Sequence, residues 1–208
     1  MTPSASAAND PRKVVIIDGG GANIASLLFA LSRLGAQGEL TADPAVIRSA
    51  SHVILPGVGA ARAAMDRLRA KGLDTVIPRL TQPVLGICLG LQLLYERSEE
   101  EDTECLGVLA GVVRRFPATA NLPVPHMGWN QVVATRKSPV LAGVADDSYF
   151  YFVHSYAAEV GPVTVGRTDY GMPFSAVVEQ GNFVATQFHP ERSGPLGGRV
   201  LDNFLRQN

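Results

Sequence analysis

The strongest chemical signal in the sequence is a cysteine framed by two glycines, in the run Gly86-Ile87-Cys88-Leu89-Gly90. The apolar run before it is typical of a buried strand, and the leucine-rich run after it favours a helix. Glycines at these offsets permit a sharp strand-to-helix turn that exposes a nucleophile at its tip. The start of a helix also favours the thiolate and offers the backbone N–H of Leu89 to an oxyanion. Taken alone, Cys88 could also be a buried structural cysteine, which is the prediction for Cys105.

A histidine and a glutamate two residues apart, in Gln187-Phe188-His189-Pro190-Glu191, could supply the base that such a nucleophile needs. In an extended segment these side chains emerge on the same face, with roughly 6–7 Å between Cα atoms. Glu191 could then hold one imidazole nitrogen of His189 and leave the other facing a thiol. Cys88, His189 and Glu191 form a candidate triad. The other three histidines have no carboxylate two residues away and are not predicted to act as bases: His52, His126 and His154.

The composition predicts one compact domain. The 208 residues are 46% hydrophobic and carry a formal net charge of −1, and the basic residues are scattered. This balance argues against nucleic acid and anionic membranes as partners, and no apolar run is long enough to span a bilayer. We predict a domain over residues 12–208, preceded at residues 1–11 by a disordered tail that lacks the apolar core of a signal peptide.

The sequence indicates neither a metal nor a cofactor. It has no HExxH motif, no CxxC pair and no histidine cluster. The three glycines at residues 19–21 lack the spacing of GxGxxG and are not followed by the lysine of a phosphate-binding loop. Two cysteines do not make the disulfide framework of a secreted protein, which favours a cytoplasmic location.

Strand-like and helix-like segments alternate in the first half of the chain. Buried strands are predicted at residues 14–17, 52–55 and 84–87, and segments with helical spacing of apolar residues follow them. From residue 107 to residue 187 the pattern changes to strand-like segments, including 149–153, 174–179 and 182–188. Residues 196–205 favour a closing helix. The prediction is an α/β fold with a largely parallel sheet and antiparallel additions on the same core.

Several stretches, in this order, resemble the class I (triad) glutamine amidotransferase family. Residues 86–92 and 189–191 are similar to its nucleophile and His-Pro-Glu motifs, and Leu55-Pro56-Gly57-Val58-Gly59 is similar to its oxyanion loop. Residues 125–130, 151–156 and 187–194 resemble further signature stretches of the branch that works in histidine biosynthesis. The resemblance implies a flavodoxin-like fold with a mostly parallel central sheet.

The resemblance implies an enzyme that hydrolyses L-glutamine to glutamate and ammonia. Cys88 would form a γ-glutamyl thioester, His189 would transfer protons, and Glu191 would orient His189. The implied oxyanion donors are Leu89 and the peptide between Gly57 and Val58, the latter after a peptide flip. Further substrate contacts are implied for Gly59, Gln92, His154, Ser155 and Tyr156. Gln92 lies one helical turn after Cys88, although an ordinary surface glutamine is the alternative there.

A partner subunit is also implied, because free ammonia is protonated and lost in water. That partner would be a (β/α)8-barrel cyclase, joined in a heterodimer through an ammonia channel, and no cofactor is implied. The candidate interface residues are Asn23, Met127, Trp129 and Arg192; without the resemblance, Trp129 would be predicted in the core and Arg192 in solvent. The loop at residues 18–23 reads Asp-Gly-Gly-Gly-Ala-Asn where the family usually has Asp-Tyr-Gly-x-Gly-Asn. In the family this loop lies near the partner interface, so the departure concerns docking and not the chemistry.

Three other functions are compatible with these residues. The same scaffold serves amidotransferases of other pathways and γ-glutamyl hydrolases, which differ mainly around residues 125–130 and 151–156. A cysteine peptidase would use the same nucleophile and base without a partner. A non-catalytic interaction domain could keep the fold, although the filled triad argues against it.

Overall fold

The structure is a computed structural model that describes residues 13–20, 24–117 and 122–207. The helices in these ranges are α1 (Ile24–Arg33), α2 (Pro44–Ser49), α3 (Ala61–Ala70), α4 (Leu89–Leu93) and α5 (Gly194–Leu205). The strands are β1 (Lys13–Ile17), β2 (Gln37–Thr41), β3 (His52–Gly57), β4 (Val84–Cys88), β5 (Tyr95–Ser98), β6 (Thr103–Glu104), β7 (Leu109–Arg115), β8 (His126–Ala134), β9 (Ser148–His154), β10 (Tyr156–Ala158), β11 (Thr164–Asp169), β12 (Pro173–Gln180) and β13 (Phe183–Thr186). The tail predicted at residues 1–11 lies outside the described residues.

A nine-stranded mixed sheet forms the centre of the protein, in the order β2-β1-β3-β4-β13-β12-β11-β8-β9. The strands from β2 to β13 are parallel, and those from β13 to β9 are antiparallel. A smaller sheet has the order β10-β7-β5-β6. The predicted α/β fold, with a parallel N-terminal half and antiparallel additions, is confirmed.

The core lies on both faces of the parallel half. Strand β1 shows why: Val14 and Ile16 pack in one hydrophobic cluster with side chains of α1 and α5, whereas Val15 and Ile17 pack in a second cluster with side chains of α2 and α3. Alternate residues of a strand point to opposite faces, so a continuous apolar run fits a strand covered by helices on both sides.

Two elements at the start of the chain are absent from the sequence prediction. Strand β2 is the edge strand of the large sheet, and its residues, Gln-Gly-Glu-Leu-Thr, are exposed or only partly buried. Helix α2 has six residues, begins after the N-cap Asp43 and buries only Ile47 fully. Short elements with little apolar burial leave no periodic hydrophobic signal.

Helix α4, predicted from the leucine-rich run after Cys88, ends at Leu93. It has five residues, all of them buried, and β5 begins at Tyr95, where the chain pairs with β7. Because this helix has no exposed face, its leucines show no amphipathic period that would mark where it ends.

The register of the parallel strands brings three chain segments to one edge of the sheet. Gly57 at the end of β3 is paired with Cys88 at the end of β4, and Thr186 at the end of β13 is paired with Ile87. His189 follows β13 by three residues. The carboxyl edge of a parallel sheet is where such folds bind ligands.

Candidate active site

Cys88 lies at the sharp turn between β4 and α4 that its glycine frame predicts. Its φ of 54° and ψ of −109° fall in a region that non-glycine residues rarely adopt. The turn folds α4 back against β3, and a Cβ atom on Gly90 would lie 1.9 Å from the carbonyl oxygen of Leu55. On Gly86 a Cβ atom would lie 2.9 Å from the carbonyl oxygen of Gly90. The two glycines are therefore required by close backbone packing around the cysteine.

His189 and Glu191 are hydrogen-bonded, with 2.9 Å between Nδ1 and Oε1, and their side chains are only 8% and 9% exposed. The extended geometry predicted for this pair is wrong. Pro190–Arg192 form one turn of 3-10 helix, because Pro190 fixes its own φ and Ser193 N donates to Pro190 O. The Oγ of Ser193 also donates to the carbonyl of His189 at 2.7 Å. The turn brings carboxylate and imidazole together by a different route from the one predicted.

The imidazole of His189 lies between Glu191 and the sulfur of Cys88. Burial by itself lowers the pKa of His189, but the contacts with Cys88 and Glu191 outweigh burial and raise it to about 10. Since Glu191 holds Nδ1, the second nitrogen, Nε2, is left for chemistry beside the sulfur. It is buried and has no hydrogen bond of ordinary geometry to the residues that the structure describes. This arrangement favours the protonated imidazolium form of His189.

These side chains open into a pocket of about 360 Å³. The pocket is also lined by every residue predicted as an oxyanion donor or substrate contact, namely Gly57, Val58, Gly59, Leu89, Gln92, His154, Ser155 and Tyr156. Its volume lies in the range of small-molecule sites. Segments far apart in the chain therefore converge on one concave surface.

Gln92 is buried in this pocket rather than placed on a helix surface. Its Nε2 donates to the carbonyl of Tyr156 at 2.9 Å and to Oε1 of Gln187 at 3.1 Å. A side-chain amide has two N–H donors. Both donors are used inside the protein, so Gln92 can offer a ligand only its carbonyl oxygen, Oε1.

His154 has both ring nitrogens engaged within the protein. Nδ1 lies 2.8 Å from the carbonyl of Tyr156, and Nε2 lies 3.1 Å from Nδ1 of His126. Burial lowers the pKa of His154 to about 3 and that of His126 to about 4. Both rings are therefore neutral near pH 7. His154 lines the pocket, but it has no free nitrogen with which to bind a substrate.

Two residues of the site are absent from the sequence prediction, Glu100 and Gln187. Glu100 lines the pocket, and its Oε2 accepts a hydrogen bond of 2.7 Å from the backbone N of Ala61 at the start of α3. Burial raises the pKa of Glu100. In the sequence it stands in the acidic run 99–102, which is typical of a solvated surface. Gln187 is fully buried behind Cys88, and only its position beside the His-Pro-Glu motif could have drawn attention to it.

The predicted interface residues that the structure describes lie at one surface. Met127 and Trp129 are 67% and 55% exposed on β8, so Trp129 does not lie in the core. The ring of Trp129 packs edge-on against the ring of Tyr151 on β9. The guanidinium of Arg192 lies 4.5 Å from the centre of the Tyr151 ring. We refer to Met127, Trp129, Tyr151 and Arg192 as the β8–β9 surface. Asn23 lies outside the described residues.

In residues 13–20, 24–117 and 122–207, no group of three or more histidine, cysteine, aspartate or glutamate side chains is arranged to hold a metal ion. No helix in those ranges is long and apolar enough to cross a membrane.

The family model for class-I glutamine amidotransferases matches residues 15–208. The chain therefore belongs to the class-I glutamine amidotransferase family. The imidazole glycerol phosphate synthase subunit HisH of Xanthomonas axonopodis pv. citri (strain 306) is 51% identical over 195 residues, which cover 94% of this chain and 98% of that protein. HisH of Xylella fastidiosa (strain Temecula1) is 48% identical over 196 residues, with the same coverage. Within the family, the chain belongs with the HisH subunits.

Solved structures agree on the fold. A glutamine amidotransferase of known crystal structure superposes with a TM-score of 0.71 at 20% identity, covering 92% of this chain and 96% of that one. PurLQS from Thermotoga maritima gives a TM-score of 0.66 at 20% identity, covering 94% and 97%. At these identities the likeness concerns the architecture alone.

Proposed function

We propose that this chain is the glutaminase subunit of imidazole glycerol phosphate synthase and that Cys88, His189 and Glu191 are its catalytic triad. The observation that carries the proposal is the position of Cys88 at a strained turn, beside an imidazole whose other nitrogen is held by a buried carboxylate. Membership among the HisH subunits, at about half identity over nearly the whole chain, supports this pathway over the other amidotransferases, a γ-glutamyl hydrolase or a peptidase.

The reaction divides into two acyl transfers. The sulfur of Cys88 attacks the side-chain amide carbon of glutamine, and the C–N bond then breaks as Nε2–H of His189 gives its proton to the leaving nitrogen. Ammonia departs and a γ-glutamyl thioester remains on Cys88. His189 next takes a proton from water, which attacks the thioester and releases glutamate and the cysteine sulfur. Glu191 stabilises the charged ring in both steps.

The tetrahedral intermediates need donors for their oxyanion. The backbone N–H of Leu89 follows the nucleophile directly, and the peptide between Gly57 and Val58 lies across from it, because Gly57 pairs with Cys88. A Cβ atom on Gly57 would lie 2.8 Å from Cβ of Leu89, so only glycine allows this loop to approach the turn so closely. These donors would act in a site shielded from water, where they are most effective.

Glutamine would be oriented by its charged amino-acid end. The carboxylate of Glu100 and Oε1 of Gln92 both suit an α-ammonium group, since each accepts hydrogen bonds. Gly59, Ser155 and Tyr156 complete the wall of the pocket, and His154 supports it by holding the carbonyl of Tyr156.

The partner would be the (β/α)8-barrel cyclase subunit, joined in a cytoplasmic heterodimer. The cyclase would use the channelled ammonia to make imidazole glycerol phosphate and aminoimidazole carboxamide ribotide, so the lyase activity belongs to that subunit. The exposed β8–β9 surface supports such docking, because Met, Trp, Tyr and Arg are the residue types enriched at interface cores. The free thiol of Cys88 fits a reducing compartment.

Glutamate release, measured with and without the cyclase and its nucleotide ligand, tests this proposal. We expect slow hydrolysis by the lone chain and strong activation in the complex, as the loop at residues 56–59 reorganises around the oxyanion. Cys88→Ser should abolish release, whereas Cys105→Ser, which changes a thiol outside the pocket, should leave it intact. Full activity of the Cys88→Ser complex would contradict the triad, and full activity of the lone chain would contradict the coupling.

A further inference from the structure

Gln187 joins the cysteine to the substrate-binding side of the pocket. Its side chain has no exposed surface, its Nε2 lies 3.7 Å from the sulfur of Cys88, and its Oε1 lies 3.1 Å from Nε2 of Gln92. Its backbone N donates to the carbonyl of Ala176 at 2.8 Å. This bond fixes the backbone from which the side chain extends. A buried amide of this kind has a defined set of partners and little freedom to turn.

The direction of these hydrogen bonds is set by one backbone carbonyl. The oxygen of Tyr156 can only accept, and it receives Nε2 of Gln92 at 2.9 Å and Nδ1 of His154 at 2.8 Å. Reversing the amide of Gln92 would place two oxygens against each other. Gln92 must therefore present N–H to Gln187, which leaves Gln187 with its oxygen toward Gln92 and its N–H toward the sulfur.

A donor in this position has a chemical consequence for Cys88. A thiolate is a strong acceptor, and in a buried site an N–H bond to an anion is stronger than the same bond to a neutral group. We propose that Gln187 is a positioning residue, which donates an N–H to the sulfur of Cys88, stabilises its reactive form and links it to the substrate contact Gln92. This deepens the proposed glutaminase site and rests on Cys88 being its nucleophile.

The link also connects substrate binding with the nucleophile. The only polar atom that Gln92 has left for a ligand is Oε1, on the same amide that holds Gln187. A substrate group bound at Oε1 would therefore restrain the amide that orients Gln187. The sulfur would be held most firmly when the pocket is occupied.

Alkylation of the full-length protein by iodoacetamide tests the proposal without requiring turnover. The rate at Cys88 is followed over a range of pH by peptide mass spectrometry, with Cys105 as an internal reference thiol outside the pocket. Gln187→Met removes both polar ends at similar length, and Gln187→Glu replaces the donor with a carboxylate. Gln180→Met is the matched control, because Gln180 is exposed on β12 and bonds to the carbonyl of Val108.

We expect both Gln187 variants to slow alkylation of Cys88 roughly tenfold near pH 7, by loss of one hydrogen bond to a charged group, and to move its half-maximal rate to higher pH. Alkylation of Cys105 and of the Gln180→Met protein should match the parent. If Gln187→Met unfolds, which a rise in Cys105 alkylation would reveal, the near-isosteric Gln187→Glu decides the matter.

Unchanged alkylation of Cys88 in a folded Gln187 variant would overturn the proposal. The alkylation rate and glutamine hydrolysis are separate measurements, so the role of Gln187 and the proposed function can fail independently. A protein that shows the alkylation effect but does not hydrolyse glutamine would refute the glutaminase assignment alone. A working glutaminase in which the folded Gln187 variants alkylate normally would refute the role of Gln187 alone.

Discussion

The carboxylate of Glu191 lies 2.9 Å from Nδ1 of His189, and both side chains are more than nine-tenths shielded from solvent. The one-turn 3-10 helix between them makes this contact local, so it does not depend on the arrangement of distant strands. The contact with Cys88, by contrast, requires β13 and β4 to be neighbours in the sheet. The imidazole and the carboxylate are therefore held together by local structure, and the strand pairing brings them to the sulfur.

Glu191→Gln should lower glutamine turnover about a hundredfold, within the range that general acid–base catalysis contributes. The amide keeps the shape of the carboxylate but removes the charge that helps to raise the pKa of His189 to about 10. In the pH–rate profile of the variant complex, the limb assigned to His189 should also move to lower pH. Unchanged turnover with an unchanged profile would remove Glu191 from the triad.

Glu100→Gln should raise the KM for glutamine roughly tenfold with a smaller effect on kcat, because it removes a charge opposite the substrate's α-ammonium group. The amide oxygen can still accept from the backbone N of Ala61, so the start of α3 is preserved. Glu101→Gln is the matched control, since Glu101 pairs with Arg62 on the surface and does not line the pocket. Equal KM values in the two variants would exclude Glu100 as a substrate contact.

Gly90→Ala should destabilise the protein by about 3 kcal/mol, the cost of forcing a methyl group into a filled space. The added Cβ would lie 1.9 Å from the carbonyl oxygen of Leu55. Gly161→Ala is the control, because a Cβ atom there meets nothing within 4 Å, and it should stay within about 0.5 kcal/mol of the parent. Denaturant unfolding measures both, and equal stability of the two variants would mean that the turn is not tightly packed.

Stability should fall on both sides of a maximum near pH 6.5, for two opposite reasons. His126 and His154 have pKa values lowered to about 4 and about 3 from an ordinary 6.5, so between pH 6.5 and 4 the unfolded chain takes up protons that the folded protein does not. Each group then reduces stability by up to about 1.4 kcal/mol per pH unit as the pH falls. His189, with its pKa raised to about 10, holds a proton that the unfolded chain loses, so its contribution disappears as the pH rises from 6.5 to 10.

Denaturant unfolding of the Cys105→Ser protein across pH 4 to 10 measures this profile, and His126→Gln should flatten only its acidic limb. A stability that stays constant between pH 6.5 and pH 5 would show that the buried histidine pair is not neutral in the folded protein.

Trp129→Ala should weaken association with the cyclase by about 2 kcal/mol, or roughly thirtyfold in Kd, the loss typical of an aromatic residue central to an interface. Leu40→Ala is the control, since Leu40 is an exposed apolar side chain on β2 at the opposite edge of the sheet. Titration calorimetry measures the Kd of each variant for the cyclase. Equal Kd values would place the interface elsewhere than the β8–β9 surface.

The local geometry around Cys88 and His189 follows from signals that lie close together in the sequence. The glycine frame of Cys88 and the spacing of His189 and Glu191 each specify a short-range geometry, and β1, β3 and β4 are continuous apolar runs. Even there, the backbone between His189 and Glu191 differs from the expectation, since a 3-10 turn and an extended strand can both bring these side chains together.

The residues that sequence reasoning missed are placed at the pocket by contacts that are distant in the chain. Glu100 reaches the pocket because it caps the start of α3, 39 residues earlier in the chain, and Gln187 meets Gln92 across 95 residues. The exposure of Trp129 likewise depends on β8 lying near the antiparallel edge of the sheet. Residue type and spacing carry no information about such placements.

Synthesis by the heterodimer carrying Cys88→Ala, supplied with either glutamine or ammonium salts, tests the central claim most directly. If Cys88 releases ammonia for a second site, glutamine-dependent synthesis is lost while ammonia-dependent synthesis continues at the parental rate. Synthesis from glutamine that persists without the sulfur of residue 88, or ammonia that fails to restore it in an intact complex, would contradict the account.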